Sequence, residues 1–229
     1  MFEVSNLQVA YGQSQVIEDL SFTAQPKEIV AVMGRNGMGK TTLFKALIGV
    51  LPSRKGHVAV AGTSLDGMES HERVGNGLAY VPQGRMIFPM LTVLENIQTG
   101  LPKSAGGDVP NDIYSLFPVL FDMRKRRGGN LSGGQQQQLA IARALASNPK
   151  VLLLDEPTEG IQPSIIKDIA RILKDIRKLK DITIVVSEQV LSFTLEIADR
   201  FFVIDKGRFI HEETRDQVDA AKIASYLAV

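Results

Sequence analysis

The sequence predicts an α/β fold: a sheet with helices packed on its faces, preceded by a small β region and interrupted by a helical insert. Three observations carry this expectation. Continuous apolar runs of strand length recur at Ile29–Met33, Leu78–Val81, Val151–Leu154 and Ile182–Val186. Runs of that kind suit strands covered on both faces. Helical patterns separate them, and strands alternating with helices imply a parallel sheet. From about residue 84 to 147 the character is helical throughout, which reads as a second lobe inserted into a core of about 1–83 and 148–229.

In chain order, Phe2, Val4, Leu7, Val9 and Tyr11 alternate with polar residues and suggest a half-buried strand pair ending near Gly12. Val16-Ile17 and Leu20–Phe22 continue that region. A glycine-rich turn follows the run at Ile29–Met33 and leads into an apolar helix over 41–50. Val58–Val60 returns as a strand. In the insert, Thr92 with Glu95 forms a capping box for a short helix. A polar loop covers 100–110, a helix is expected over 112–126, and Ser132 opens another. After the run at 151–154, the pattern predicts an amphipathic helix over 164–180, a strand at 182–186, a helix over 191–198 and a hairpin about Lys206-Gly207.

Composition narrows the class. The chain has 229 residues with 44% apolar and 22% charged residues, ordinary for a folded protein that buries its own core. A formal net charge of +1 provides no overall field toward nucleic acid or acidic lipid. The basic run Arg124–Arg127 is short, has no aromatic platform beside it, and reads as a solvated helix end. With no cysteine there is no disulfide framework or thiolate chemistry. The N-terminus lacks the basic and apolar regions of a secretory signal. No stretch reaches the roughly 18–20 apolar residues that cross a bilayer, so a membrane role would come through a partner. His57, His71 and His211 are scattered and fall in no site pattern.

Three motifs carry chemistry. Gly34-Arg35-Asn36-Gly37-Met38-Gly39-Lys40-Thr41 fits G-x-x-x-x-G-K-[ST] between a buried strand and a helix. Its glycines let backbone N–H groups turn inward onto phosphates, and the helix adds its positive end. Lys40 supplies a charge to the β- and γ-phosphates, and Thr41, followed by Thr42, a hydroxyl for Mg²⁺. Val151–Leu154 then delivers Asp155 and Glu156, adjacent carboxylates at the end of an apolar strand. Such a pair is costly unless a cation or hydrogen bonds compensate it. Asp155 suits the metal, and Glu156 can polarise an attacking water. The third motif is Leu131-Ser132-Gly133-Gly134-Gln135, where an N-cap serine and two glycines leave helical N–H groups open as a second anion cradle. One copy's cradle could close on a phosphate held by another.

Leu-Ser-Gly-Gly-Gln ahead of an acidic strand resembles the signature of ABC-type ATPases, and the resemblance extends over nearly the whole chain. It implies a nucleotide-hydrolysing P-loop fold with a mixed core sheet, an N-terminal antiparallel β region and a helical subdomain, using ATP and Mg²⁺. It also implies that Tyr11 stacks on adenine and that Gln83 joins Mg²⁺ and the water to the helical lobe. Taken alone, the first is a turn aromatic and the second a loop glutamine. The family usually has a histidine where this chain has Gln189; an amide donates a hydrogen bond but carries no charge. Glu159–Gln162 likewise lacks the usual aspartate of the dimer-contact loop.

Val81–Arg85 with Ile87–Pro89, Ile113–Pro118, Leu131–Arg143 and Asp155–Ile166 resemble, more narrowly, the shorter ATPase subunit of bacterial urea importers, relatives of the branched-chain amino-acid importers. That resemblance implies a second, different ATPase subunit, two transmembrane permeases, a periplasmic solute-binding protein and a place on the inner face of the cell membrane. The apolar segment 86–91 would be either the grip on a permease or a buried contact between lobes.

Overall fold

A computed structural model describes residues 1–228. The chain opens with β1 (Phe2–Tyr11) and β2 (Ser14–Ala24), then β3 (Ile29–Met33) and α1 (Lys40–Leu47). β4 (Ser53–Val60), β5 (Thr63–Ser64), α2 (Ser70–Gly75) and β6 (Leu78–Val81) follow. The insert contains α3 (Val93–Gln98), α4 (Asn111–Leu116), α5 (Pro118–Asp122) and α6 (Gly133–Leu145). β7 (Val151–Asp155), α7 (Pro163–Lys180), β8 (Thr183–Glu188), α8 (Leu191–Ile197), β9 (Arg200–Asp205), β10 (Arg208–Thr214) and α9 (Ala220–Leu227) complete the chain.

Among the described residues the strands form two sheets, one ordered β2-β1-β4-β5 and antiparallel, the other β10-β9-β3-β8-β7-β6. In the second sheet β9, β3, β8, β7 and β6 run parallel, and β10 turns back antiparallel on β9. The fold is therefore α/β with a mixed core sheet and an antiparallel N-terminal sheet. Both faces of the core sheet are buried, which accounts for the unbroken apolar runs. Ile29, Ala31 and Met33 face a cluster with Leu139, Ile169 and Phe193 of the helices. Val30 and Val32, on the other face, meet α1 and the N-terminal sheet through Phe44, Leu47 and Phe22.

Three local features depart from the expected pattern. The first alternating stretch is one strand, not two: β1 keeps its pairing across a bulge at Asn6, whose φ of 51° shifts the alternation by one residue. The helix expected over 112–126 is two short helices, because Pro118 disfavours α geometry at Phe117, which sits at φ −130° and ψ 67°. The Arg124–Arg127 run thus lies in the turn beyond α5, with the Arg124 guanidinium 4.2 Å above the Phe121 ring. α2 and α9 went unforeseen; α9 buries a single residue, Ile223, too thin an apolar stripe to stand out. No helix among the described residues is long and apolar enough to cross a membrane.

Candidate nucleotide site

Parallel strands aim their carboxyl ends at one edge of the sheet, where ligands of open α/β folds bind. Here β3, β7 and β8 end side by side, Met33 opposite Glu188 and Asp155 opposite Ser187. β3 runs into the glycine-rich loop and α1, while β7 ends in the acidic pair. A cleft at that edge is lined by Val16, Asn36, Gly37, Gly39, Lys40, Thr41, Thr42, Gln83 and Glu156. Gly39 caps α1 at φ +107°, a conformation open to glycine but not to a side chain. With no side chain capping α1, its first N–H groups stay free for an anion.

Lys40 is buried in the cleft and fully engaged. Its Nζ donates to the carbonyls of Gly34 (2.7 Å) and Arg35 (3.0 Å) and pairs with Glu156 Oε1 at 3.0 Å. Glu156 also accepts from Gln83 Nε2 at 3.2 Å and Gln189 Nε2 at 3.4 Å. Gln189 donates to Asn36 Oδ1 at 2.7 Å as well. Residues from three separate segments thus converge on one carboxylate. The Glu156 backbone has φ +46°, left-handed geometry that costs about 1–3 kcal/mol for a non-glycine residue. Its N–H is held there by the Ser187 carbonyl and hydroxyl, both at 3.1 Å.

Asp155 occupies the interior side. Burial pushes its carboxyl above the ordinary range, and Glu156 beside it adds to this; hydrogen bonds from Ser187, Thr41 and Tyr80 pull the other way. Ser187 Oγ donates to Asp155 Oδ1 at 2.5 Å and Tyr80 Oη to Oδ2 at 3.2 Å. The Tyr80 hydroxyl is pushed up in turn, by burial first and then by the Asp155 charge. Tyr80 and Ser187 were not singled out from sequence: Tyr80 is an aromatic within an apolar strand, and Ser187 lies just beyond the strand expected at 182–186. The donor set of Thr41 hydroxyl, Asp155 carboxylate and Gln83 amide oxygen fits Mg²⁺, which takes one or two carboxylates and draws its other ligands from phosphates and water. Among the described residues no group of three or more His, Cys, Asp or Glu is placed to hold a metal ion.

Two sets of expected residues lie outside this cleft. Tyr11 is exposed at the end of β1, opposite Ser14. Ser132, Gly133, Gly134 and Gln135 open α6 in the insert and do not line the cleft. Ser132 Oγ accepts from Gln135 N–H at 3.4 Å, and the Gln135 side chain accepts from Ser132 N–H at 3.0 Å, a reciprocal cap. Gly134 has a packing reason of its own: a Cβ there would stand 2.4 Å from Ile165 Cγ2 of α7. In the 86–91 segment, Met86, Phe88 and Met90 are exposed and Ile87 packs inward. Asn96 pins this segment with bonds to both the N–H and the carbonyl of Phe88. His57 pairs with Asp66 and His211 with Glu213, away from the cleft.

Comparison with known proteins agrees with this geometry. Residues 17–159 match the family model described as ABC transporter. The chain is 37% identical over 217 residues to the high-affinity branched-chain amino acid transport ATP-binding protein BraG of Pseudomonas aeruginosa, covering 93% of each chain. It is 33% identical over 219 residues to the lipopolysaccharide export system ATP-binding protein LptB of Haemophilus influenzae, covering 93% of this chain and 90% of that one. Its fold superposes on a nucleotide-free ATP-binding cassette from an ABC transporter with a TM-score of 0.85, at 24% identity over 98% of this chain and 95% of that chain. The chain therefore belongs to the ABC transporter family, as an ATP-hydrolysing cassette.

Proposed function

We propose that this chain is one of two ATPase subunits that drive a solute importer, with urea as the solute. It would sit at the inner face of the membrane against two permeases, its paired cassette being a different chain. One observation carries the two-subunit reading: Lys40, Gln83 and Glu156 line one cleft, with Gln189 bonded to Glu156, while the Ser132 cradle of the same chain lies outside it. A cradle with open N–H groups and no nucleotide of its own suits the terminal phosphate held by a neighbour.

In this reading the glycine-rich loop with Asn36 and Thr42 holds the phosphates, Lys40 neutralises them, and Tyr11 stacks on adenine when the sites are assembled. Thr41, Asp155 and Gln83 would hold Mg²⁺, which would supply charge neutralisation at the phosphates. Glu156 orients and deprotonates the water, and Gln189 donates to the terminal phosphate. ATP clasped from both sides favours the closed pair, and hydrolysis removes that bias. We read residues 84–147 as the lobe that moves, with Met86, Phe88 and Met90 as its grip on a permease. An exposed apolar group pinned by a buried asparagine suits docking better than an inter-lobe contact.

Urea rests on the segments named in the sequence; the likeness to a branched-chain amino-acid subunit supports the importer class and makes such amino acids or short amides the nearest alternative. The likeness to an export subunit favours a second reading, that the transporter moves its solute outward. Reconstitution of the chain with the transporter subunits encoded beside it tests these together. ATP-dependent uptake of labelled urea, but not leucine, is the expected result. Leucine uptake alone would replace the solute, and outward transport alone would replace the direction.

A further inference from the structure

Glu188 ends β8 and is 2% exposed, yet none of the three motifs uses it. Its carboxylate divides four donors between its two oxygens. Oε1 accepts from Thr158 N–H at 3.0 Å and from Thr158 Oγ1 at 2.6 Å. Oε2 accepts from the N–H groups of Gln189 at 2.9 Å and Val190 at 3.2 Å. Burial pushes this carboxyl upward, and the four donors pull it back. An interior strand position would ordinarily take an apolar residue at less cost. The four bonds have one geometric result. Thr158 begins the turn just beyond Glu156, and Gln189 begins the turn beyond β8. One carboxylate therefore fastens together the two turns that carry the groups facing the cleft.

We infer that Glu188 is a positioning residue for ATP hydrolysis: it clasps the turn after Glu156 to the turn bearing Gln189, so that both side chains meet the terminal phosphate as one rigid unit. The inference rests on the roles proposed above for Glu156 and Gln189. Glu156 is where such help is needed, because its left-handed backbone must be held from outside. Lys40 and Asn36 touch Glu156 and Gln189, but Lys40 keeps two bonds within its own loop, to the carbonyls of Gly34 and Arg35. Loosening the clasp therefore lowers turnover and leaves nucleotide binding in place.

The test compares Glu188→Gln, Thr158→Val and Thr158→Ser in the full-length chain assembled with its transporter subunits. Glu188→Gln keeps one acceptor oxygen but sets an NH₂ against backbone donors. Thr158→Val removes one of the four bonds at nearly constant shape, and Thr158→Ser restores it. The readouts are kcat and KM for MgATP, equilibrium MgATP binding and the melting temperature. Loss of an outer partner of a site residue typically costs about 10–100-fold, so kcat of Glu188→Gln should fall about tenfold or more. Thr158→Val should fall about threefold to tenfold, less than Glu188→Gln because three of the four bonds remain. Thr158→Ser should regain wild-type turnover, with KM and affinity unchanged throughout. A lowered melting temperature with unchanged kcat overturns the inference, as does a loss of kcat that only mirrors a loss of binding. If Glu188→Gln does not fold, the Thr158 pair decides alone. Glu156→Gln is measured alongside: if it is inactive while the Glu188 and Thr158 variants are normal, only the clasp falls. If Glu156→Gln itself turns over normally, the assignment of the base falls and the inference with it.

Discussion

Lys40 and Glu156 are 3% and 9% exposed and stand 3.0 Å apart, so each is the other's main neutralising group within the chain. At that separation the Coulomb attraction is about 5 kcal/mol at an effective dielectric of about 20. Desolvation of both ions offsets part of it, whereas deleting one partner strands the other at about 3–5 kcal/mol. The two deletions should differ. Lys40→Met leaves the Glu156 carboxylate only the amide donors of Gln83 and Gln189, at 3.2 and 3.4 Å. These long bonds offset little, so a loss of about 3 kcal/mol follows. Glu156→Gln leaves Lys40 on two carbonyls and an amide oxygen that still accepts, so about 1 kcal/mol is expected. The double variant has no stranded charge and should be more stable than the sum of its parts, with a coupling of about 2 kcal/mol. Thermal unfolding without nucleotide reads this directly. At about 2–4 °C per kcal/mol for a chain of this size, Lys40→Met should melt about 6–12 °C lower. A Lys40→Met chain that melts with the wild type, or a cycle that is strictly additive, refutes the claim that the pair organises the cleft.

Glu156→Gln should retain MgATP binding and lose turnover by about 10²–10⁴, the usual worth of a general base; an ATPase assay beside a binding titration checks both. Ser132→Arg should leave nucleotide binding to the same chain intact and block ATP-dependent pairing, read by light scattering or cross-linking. Asp155→Asn removes a charge that burial disfavours while keeping acceptor capacity for Ser187, so it should raise the melting temperature without nucleotide and abolish Mg²⁺-dependent hydrolysis. Gln189→His should hold or raise turnover, since an imidazole N–H can replace one of the two bonds the amide donates and can serve the terminal phosphate in the proposed role; a drop to the level of Gln189→Ala would reject the donor role.

The core sheet was legible because its strands are apolar on both faces, so each run announces burial without needing a partner. The phosphate loop and the acidic pair were legible for the same reason, as each begins where a buried strand stops. What stayed hidden depends on pairing across the chain. Glu188 lies next to Gln189 in sequence, but its clasp on Thr158 spans 30 residues and has no spacing rule. Tyr80 sits in a strand where an aromatic is ordinary, and only the approach of Asp155 from β7 gives its hydroxyl a task. Gly134 illustrates the converse. Its place in the motif suggested an open anion cradle, and the structure adds a steric reason in Ile165, which no local pattern reveals. The break at Phe117 was readable in principle, since the following proline restricts it, but a continuous helical pattern on both sides masked it.

The roles proposed above place Lys40 between the phosphates and the base. Its Nζ bonds the Gly34 and Arg35 carbonyls and pairs with Glu156. Glu156 in turn accepts from Gln83 and Gln189, donors that orient a carboxylate without neutralising it. Under those roles phosphate oxygens would compete with Glu156 for one ammonium, so phosphate binding and proton acceptance would be coupled through a single lysine, and the Lys40 and Glu156 double variant measures the strength of that link.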